Sequence, residues 1–454
     1  EKEWSFSGNV SEDGNYLVIT VWRGSESKNL VFYQSLAKPE AQVVELLREW
    51  EAEYDLLGND GSTFWFATDL AAPRRRVIAI DIEKSPAEKR EIVPEQADTL
   101  DAASLVGNRF VCDYLHDVKS EVKLFKLDGS PAGQIALPGE GTAGGFGGRQ
   151  TDRETFYSFT NSLTPTAVYR YDFDANKSEV FRRPRLDFDA SPFVIKRLFY
   201  QSKDGTRIPL TIVHHRDIAL DGNNPTILYG YGGFNIPQLA GFSVSTATWL
   251  EMKGVYAVAN LRGGGEYGRE WHDAGKLDKK QNVFDDFIAA AEWLIDNKYT
   301  RREKLAISGR SNGGLLVGAC LTQRPDLFGA ALPGVGVMDM LRYHQFTIGR
   351  AWRVEYGSAD DAKEFKTLMA YSPLHNLKPG TKYPPTLITT GDHDDRVVPG
   401  HSYKFAAEMQ HAQAGDAPIL IRIDTSAGHG GGKPTQKLID ESADTLSFLR
   451  QVLK

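Results

Sequence analysis

Serine is a poor nucleophile until a base takes its proton, so a reactive serine is recognised by where the chain puts it. Ser311 lies in Gly309-Arg310-Ser311-Asn312-Gly313, between the apolar runs "KLAIS" and "GGLLVGACL". The first run reads as a buried strand and the second as the start of a helix. A serine pinched between them occupies a sharp turn where side chains on its neighbours would collide, and glycine removes the Cβ. The hydroxyl then stands at the carboxyl edge of a sheet. The backbone N–H of Asn312, with the helix N-terminus behind it, faces any oxyanion formed there.

Two downstream loops offer a base and an acid. "TLITTGDHDDRVVP" has Asp392, Asp394 and Asp395 just past a strand, and "IRIDTSAGHGGGKP" has His429 past the next one. Serine, acid, histidine is the chain order of α/β-hydrolases. His116, His214, His215, His272, His344 and His375 precede Ser311 or lie in segments without that placement. His401 and His411 fall on a helical segment, and His393 shares the acid loop, which leaves His429 as the candidate base. The acid loop must run past its strand before turning inward, which disfavours Asp392. Spacing does not separate Asp394 from Asp395. An earlier strand ends in Tyr229-Gly230-Tyr231-Gly232-Gly233-Phe234, where the glycines allow close backbone approach and a tyrosine is either core packing or, through its hydroxyl, a second oxyanion donor.

The elements that must position these residues lie in the second part of the chain. A hairpin, "KRLFYQS" to "RIPLTIVHH", leads into alternating strands and helices: "PTILYGYGGF", "GVYAVANL", the helix "VFDDFIAAAEWLIDN", then "KLAISG", "GAALPGVGV", "PPTLITTGD", "PILIRIDT" and a closing amphipathic helix. On the first helix Phe284, Phe287, Ile288, Ala291 and Leu294 share one face. Such alternation implies a mostly parallel sheet covered on both faces. Residues 1 to about 190 instead read as strand after strand, with a possible turn at Val43–Trp50. Segments starting at Val31, Val77, Val122 and Val168 recur at about 46 residues, the spacing of four-stranded propeller blades. That makes about four blades, either a small propeller or the later part of a larger one, with a β-sandwich as the alternative. The expected division is an all-β propeller domain at 1–190 and an α/β-hydrolase catalytic domain at 191–454.

Composition narrows the partners. Lys and Arg number 53 and Asp and Glu 60, giving a net charge of −7, which argues against nucleic acid or an anionic membrane. No apolar run has transmembrane length. Cys112 and Cys320 stand in apolar contexts and read as buried free thiols. The chain opens "EKEWSFSGNV", without Met, so an upstream segment is expected and the compartment, cytoplasmic or periplasmic, stays open. Histidines and acids lack metal-ligand spacing, and "GGFGG" at 144–148 is wrongly placed for a nucleotide loop, so neither metal nor cofactor is expected.

Together "YGYGGFN", "NLRGGGEYG", "SNGGLL", "RPDLFGAALPGVGVMDMLR", "YSPLHN", "DHDDRVVP" and "AGHGGGKPT" resemble the prolyl oligopeptidase family, over 196–454 and more faintly before it. The resemblance implies a serine peptidase of α/β-hydrolase fold capped by a seven-bladed propeller, cleaving short peptides after proline. It implies Ser311 as nucleophile, His429 as base and Asp394 as acid, with Tyr231 and the Asn312 N–H as the oxyanion hole. It implies Trp352 stacked on the substrate proline, with Tyr356, Phe234, Val337, Ile348 and Val397 around it and Arg396 on a substrate carbonyl. A rigid ring without an N–H suits a flat aromatic slot.

There are departures. The family usually has glycine where this chain has Arg310, whereas its basic-specific branch has arginine. The family's substrate-touching propeller arginine has no secure match near Trp22-Arg23. The family's N-terminal arm and first blades are missing, so a separate N-terminal piece completing an otherwise monomeric protein is the expected partner. Rival readings are a relative specific for basic residues, acylaminoacyl groups or dipeptides, an esterase, and a silent binding scaffold.

Overall fold

The computed structural model describes residues 4–38, 40–84, 88–430 and 432–453. Contacts divide the chain into two units. One comprises Glu1–Asp187 with Leu239–Phe242 and Gly265–Trp271, and the other Phe188–Gln238, Ser243–Gly264 and His272–Lys454.

The first unit contains four antiparallel sheets of four strands each, laid down in chain order. The segments that recur in the sequence are the third strands of these sheets: Asn29–Ser35, Arg76–Asp81, Lys119–Lys126 and Thr164–Asp172. Their apolar residues fill cores between successive sheets. Val31 packs with Phe64, Phe66 and Ile78, and Val77 with Leu105 and Phe110. Val122 and Leu124 pack with Tyr157 and Tyr169. This is the packing of adjacent propeller blades, and it excludes a two-sheet sandwich. The segment expected as a turn at Val43–Trp50 holds a strand, Val44–Leu47, that pairs with the third strand of its sheet. The pairing through Val31 and Leu47 decides its conformation. Cys112 and Cys320, one in each unit, are buried and free.

The second unit is built on one eight-stranded sheet. Its strands are β1 (Phe193–Gln201), β2 (Arg207–His215), β3 (Thr226–Tyr229), β4 (Val255–Ala259), β5 (Leu305–Arg310), β6 (Ala330–Gly334), β7 (Thr386–Gly391) and β8 (Ile419–Asp424). Their spatial order is β1-β2-β4-β3-β5-β6-β7-β8. The β1–β2 and β2–β4 pairs are antiparallel and the rest parallel. Helix α1 (Gln281–Asp296) buries Phe284, Phe287, Ala291 and Leu294 as its periodicity predicts. Ala290 is buried too, while Ile288 is only half-buried. Helix α2 (Asn312–Gln323) is buried along its first ten residues, which explains an apolar sequence with no polar face. Helix α3 (Arg353–Tyr356) is a single turn, and α4 (Gly400–Ala412) and α5 (Thr435–Val452) flank the last strands in the chain. No helix among the described residues is long and apolar enough to cross a membrane.

Candidate active site

The turn from β5 into α2 carries Ser311 at φ 59° and ψ −119°, a conformation side chains rarely adopt. Neighbouring glycines make room for it. A Cβ on Gly309 would lie 2.3 Å from Gly313 O, and one on Gly313 would lie 2.7 Å from Gly230 O. The Ser311 N–H donates to Gly334 O at 2.9 Å, tying the turn to the end of β6.

His429 and Asp394 come together across the ends of β7 and β8. His429 Nδ1 lies 2.7 Å from Asp394 Oδ2. The other oxygen, Oδ1, accepts the N–H of Arg396 at 3.0 Å and of Val397 at 2.9 Å. Asp394 is buried, whereas Asp395 is exposed. Asp392 is engaged by His393 Nδ1 (2.6 Å) and the N–H of Ala427 (3.2 Å). The residue after His429, Gly430, lies near Arg310: a Cβ on it would be 3.7 Å from an Arg310 guanidinium nitrogen.

The loop after β3 approaches the same turn. Asn312, buried, donates through Nδ2 to Tyr231 O at 2.5 Å and accepts the Tyr356 hydroxyl at 2.8 Å. Burial pushes the Tyr231 hydroxyl up to about 12, against a hydrogen bond with Ser311 that pulls it down. A phenol so shifted stays protonated, and therefore a donor, at any ordinary pH.

Aromatic rings gather beside this loop. Phe234 meets Tyr356 edge-on at 5.5 Å and Trp352 at 6.5 Å. Val337 and Val397 are buried. Ile348, 47 % exposed, accepts the Ala351 N–H in the turn leading to Trp352. Arg396 is exposed, and its charge acts on the Tyr231 hydroxyl. Sequence reasoning missed Tyr343, whose ring stacks parallel to Trp352 at 6.3 Å and lies edge-on to Tyr356 at 5.4 Å. Its hydroxyl bonds Gly357 O. It also missed the buried group formed by His272, Lys280 and Glu355. Nothing in the spacing of these three suggests a contact.

Arg310 points to the closing helix. Its guanidinium donates to Glu441 Oε1 at 2.7 Å, and Lys433 binds Glu441 Oε2 at 2.7 Å and Asp424 at 2.9 Å. Four sequence segments thus meet in one ionic cluster: the serine turn, the end of β8, the histidine loop and α5.

The profile of the prolyl oligopeptidase family matches residues 240–454, and the profile of the N-terminal β-propeller domain of prolyl oligopeptidase matches residues 1–184. The chain is 47 % identical to a prolyl endopeptidase of Elizabethkingia miricola over 97 % of its own length and 63 % of the relative's. It therefore spans less than two thirds of that protein. Among solved structures, one from a structural and mechanistic analysis of two prolyl endopeptidases matches with a TM-score of 0.96 at 45 % identity, covering 100 % of this chain and 67 % of that one. Prolyl oligopeptidase B from Galerina marginata, bound to a 35mer hydrolysis and macrocyclization substrate, matches with a TM-score of 0.94 at 38 % identity, covering 99 % of this chain and 65 % of that one.

Proposed function

This chain belongs to the prolyl oligopeptidase family, and on that premise we propose that it cleaves peptides on the carboxyl side of proline with Ser311, His429 and Asp394. The observation that supports this reading most is the 2.7 Å bond between His429 Nδ1 and Asp394 Oδ2, in a loop whose next residue lies against Arg310, the neighbour of Ser311. In this division residues 191–454 carry the chemistry and residues 1–190 form a propeller domain.

Asp394 accepts the Nδ1–H of His429 and so fixes the tautomer that leaves Nε2 free as a base. Nε2 takes the Ser311 proton as Oγ attacks the carbonyl carbon of the proline residue. The tetrahedral oxyanion accepts from the Tyr231 hydroxyl and the Asn312 N–H. His429 then gives its proton to the departing amine, the C–N bond breaks, and an acyl-enzyme remains. Water, deprotonated by His429, releases the acid and restores Ser311. Phe234, Trp352 and Tyr356 supply aromatic surface for the pyrrolidine ring, and Val337, Ile348 and Val397 complete an apolar slot. Arg396 holds a substrate carbonyl.

Specificity for basic residues would need an unpaired carboxylate at the slot. The buried carboxylate beside Tyr356 is Glu355, and it is already paired with Lys280 and hydrogen-bonded to His272. Arg310, the residue that hints at the basic-specific branch, is occupied by Glu441.

The deciding experiment compares cleavage of two blocked chromogenic dipeptides, one ending in proline and one in arginine, by wild type and Ser311→Ala. Strong preference for proline, lost in the variant, is the expected result. Preference for arginine would overturn the specificity, and activity surviving in Ser311→Ala would overturn the site.

A further inference from the structure

Side chains from three elements hold the backbone of the Tyr231–Phe234 loop. Asn312, opening α2, donates to Tyr231 O. Lys280, preceding α1, donates through Nζ to Gly232 O at 2.9 Å. Glu355, in α3, accepts the Phe234 N–H through Oε1 at 3.0 Å. The last two also face each other, with Nζ and Oε1 3.4 Å apart and side chains 1 % and 3 % exposed. His272 closes the group, its Nε2 lying 2.7 Å from Glu355 Oε2. Burial alone would raise the Glu355 pKa, but the Lys280 charge and the His272 bond outweigh it and keep the carboxylate below its ordinary range.

A buried ion pair is a weak source of stability, because apolar residues of similar volume often serve as well or better. Apolar residues could not hold the Gly232 carbonyl and the Phe234 N–H. These groups need holding because the loop is strained. Phe234 has φ 58° and Asn235 φ 57°, and a Cβ on Gly232 would lie 2.3 Å from Val283.

We propose that Lys280, Glu355 and His272 are positioning residues: they fix the Tyr231–Phe234 loop so that the Tyr231 hydroxyl meets the oxyanion, and tie that loop to the aromatic slot through Tyr356. The inference rests on the function proposed above. Glu355 precedes Tyr356 in the chain, Lys280 Nζ lies 5.3 Å from the Tyr356 ring centroid, and the Tyr356 hydroxyl bonds Asn312. Oxyanion donor and slot therefore share one support.

The test is a double-mutant cycle on a blocked proline substrate, with active molecules counted by a fluorophosphonate label. Glu355→Gln should lower kcat about 10- to 100-fold, part of the loss seen when an oxyanion donor is removed, and loosening of the slot should show separately as a rise in KM. In a Tyr231→Phe background the same substitution should cost less than about threefold in kcat, because the hydroxyl it positions is already gone. His272→Gln leaves Lys280 and Glu355 facing each other and should give a smaller loss of the same non-additive kind; it carries the test if Glu355→Gln does not fold. Equal losses with and without the Tyr231 hydroxyl would overturn the proposal. Full cleavage by Ser311→Ala would instead remove the reading it rests on, so the two failures are distinguishable.

Discussion

Asp394 divides its two oxygens between His429 and its own turn: Oδ2 lies 2.7 Å from His429 Nδ1, and Oδ1 accepts two backbone N–H groups, from Arg396 and Val397. The backbone bonds fix the plane of the carboxylate and so aim its free edge at the imidazole. Asp394→Asn keeps the shape but presents an N–H or a weaker acceptor to Nδ1, which favours the wrong tautomer. By the behaviour of serine triads, kcat should fall by about 10⁴-fold with little change in KM. Asp395→Asn, at an exposed position, should leave both near wild type. Steady-state kinetics on one proline substrate decide it, and comparable losses at the two positions would refute the assignment.

The serine turn predicts a steric penalty. The Cβ of Gly309→Ala would come within 2.3 Å of Gly313 O and 2.9 Å of Gly230 O, both backbone atoms with no freedom to swing away. Overpacking of this kind costs about 1–3 kcal/mol. Melting should show a lowered Tm, and labelling of Ser311 by a fluorophosphonate should slow even in the folded fraction. Gly400→Ala, where a Cβ meets nothing within 4 Å, is the control.

What could be read in the sequence is what chain order and period encode. Val31, Val77, Val122 and Val168 marked the third strands of the four sheets because one strand of each blade must be apolar on a fixed spacing. Gly309, Ser311 and Gly313 stood out because the turn needs missing side chains at fixed offsets. Asp394 and Asp395 could not be told apart from spacing, since the choice depends on which carboxylate folds back onto its own turn. Nothing in the sequence joins Glu355 to Lys280 or His272, which stand 75 and 83 residues away in the chain. Only the fold removes them from water. Tyr343 was missed for a related reason: its ring lies parallel to Trp352 only once two short 3-10 turns, Tyr343–Gln345 and Gly349–Trp352, are in place.

The aromatic slot predicts a change in selectivity. Trp352 is buried, stacked against Tyr343 on one side and edge-on to Phe234 on another. Trp352→Ala should lower kcat/KM for a proline substrate by about 10- to 100-fold, the equivalent of about 1–3 kcal/mol of lost apolar contact, mostly through KM. Trp352→Phe keeps a ring and should lose less. The ratio of rates on proline and alanine substrates should narrow in the same order. An unchanged ratio would mean that the proline ring binds elsewhere.

The ionic cluster behind the serine predicts a pH-dependent support for the histidine loop. Burial raises the Glu441 pKa, but Arg310 and Lys433 more than offset it, so the carboxylate titrates below its ordinary 4.5. A group depressed in the folded state contributes stability above its unfolded pKa and loses it as pH falls through the folded value. Glu441→Gln should therefore lower Tm at pH 7, where Arg310 and Lys433 are left facing each other without their shared anion. The difference from wild type should begin to shrink below about pH 4.5 and vanish once Glu441 is protonated in both states. Because Lys433 follows His429 by four residues, kcat should fall several-fold as well. Calorimetry across pH 3–7 separates the cases: a Tm difference independent of pH would make Glu441 a packing residue, and a difference that closes at acid pH would make its charge the link between the serine turn and the histidine loop.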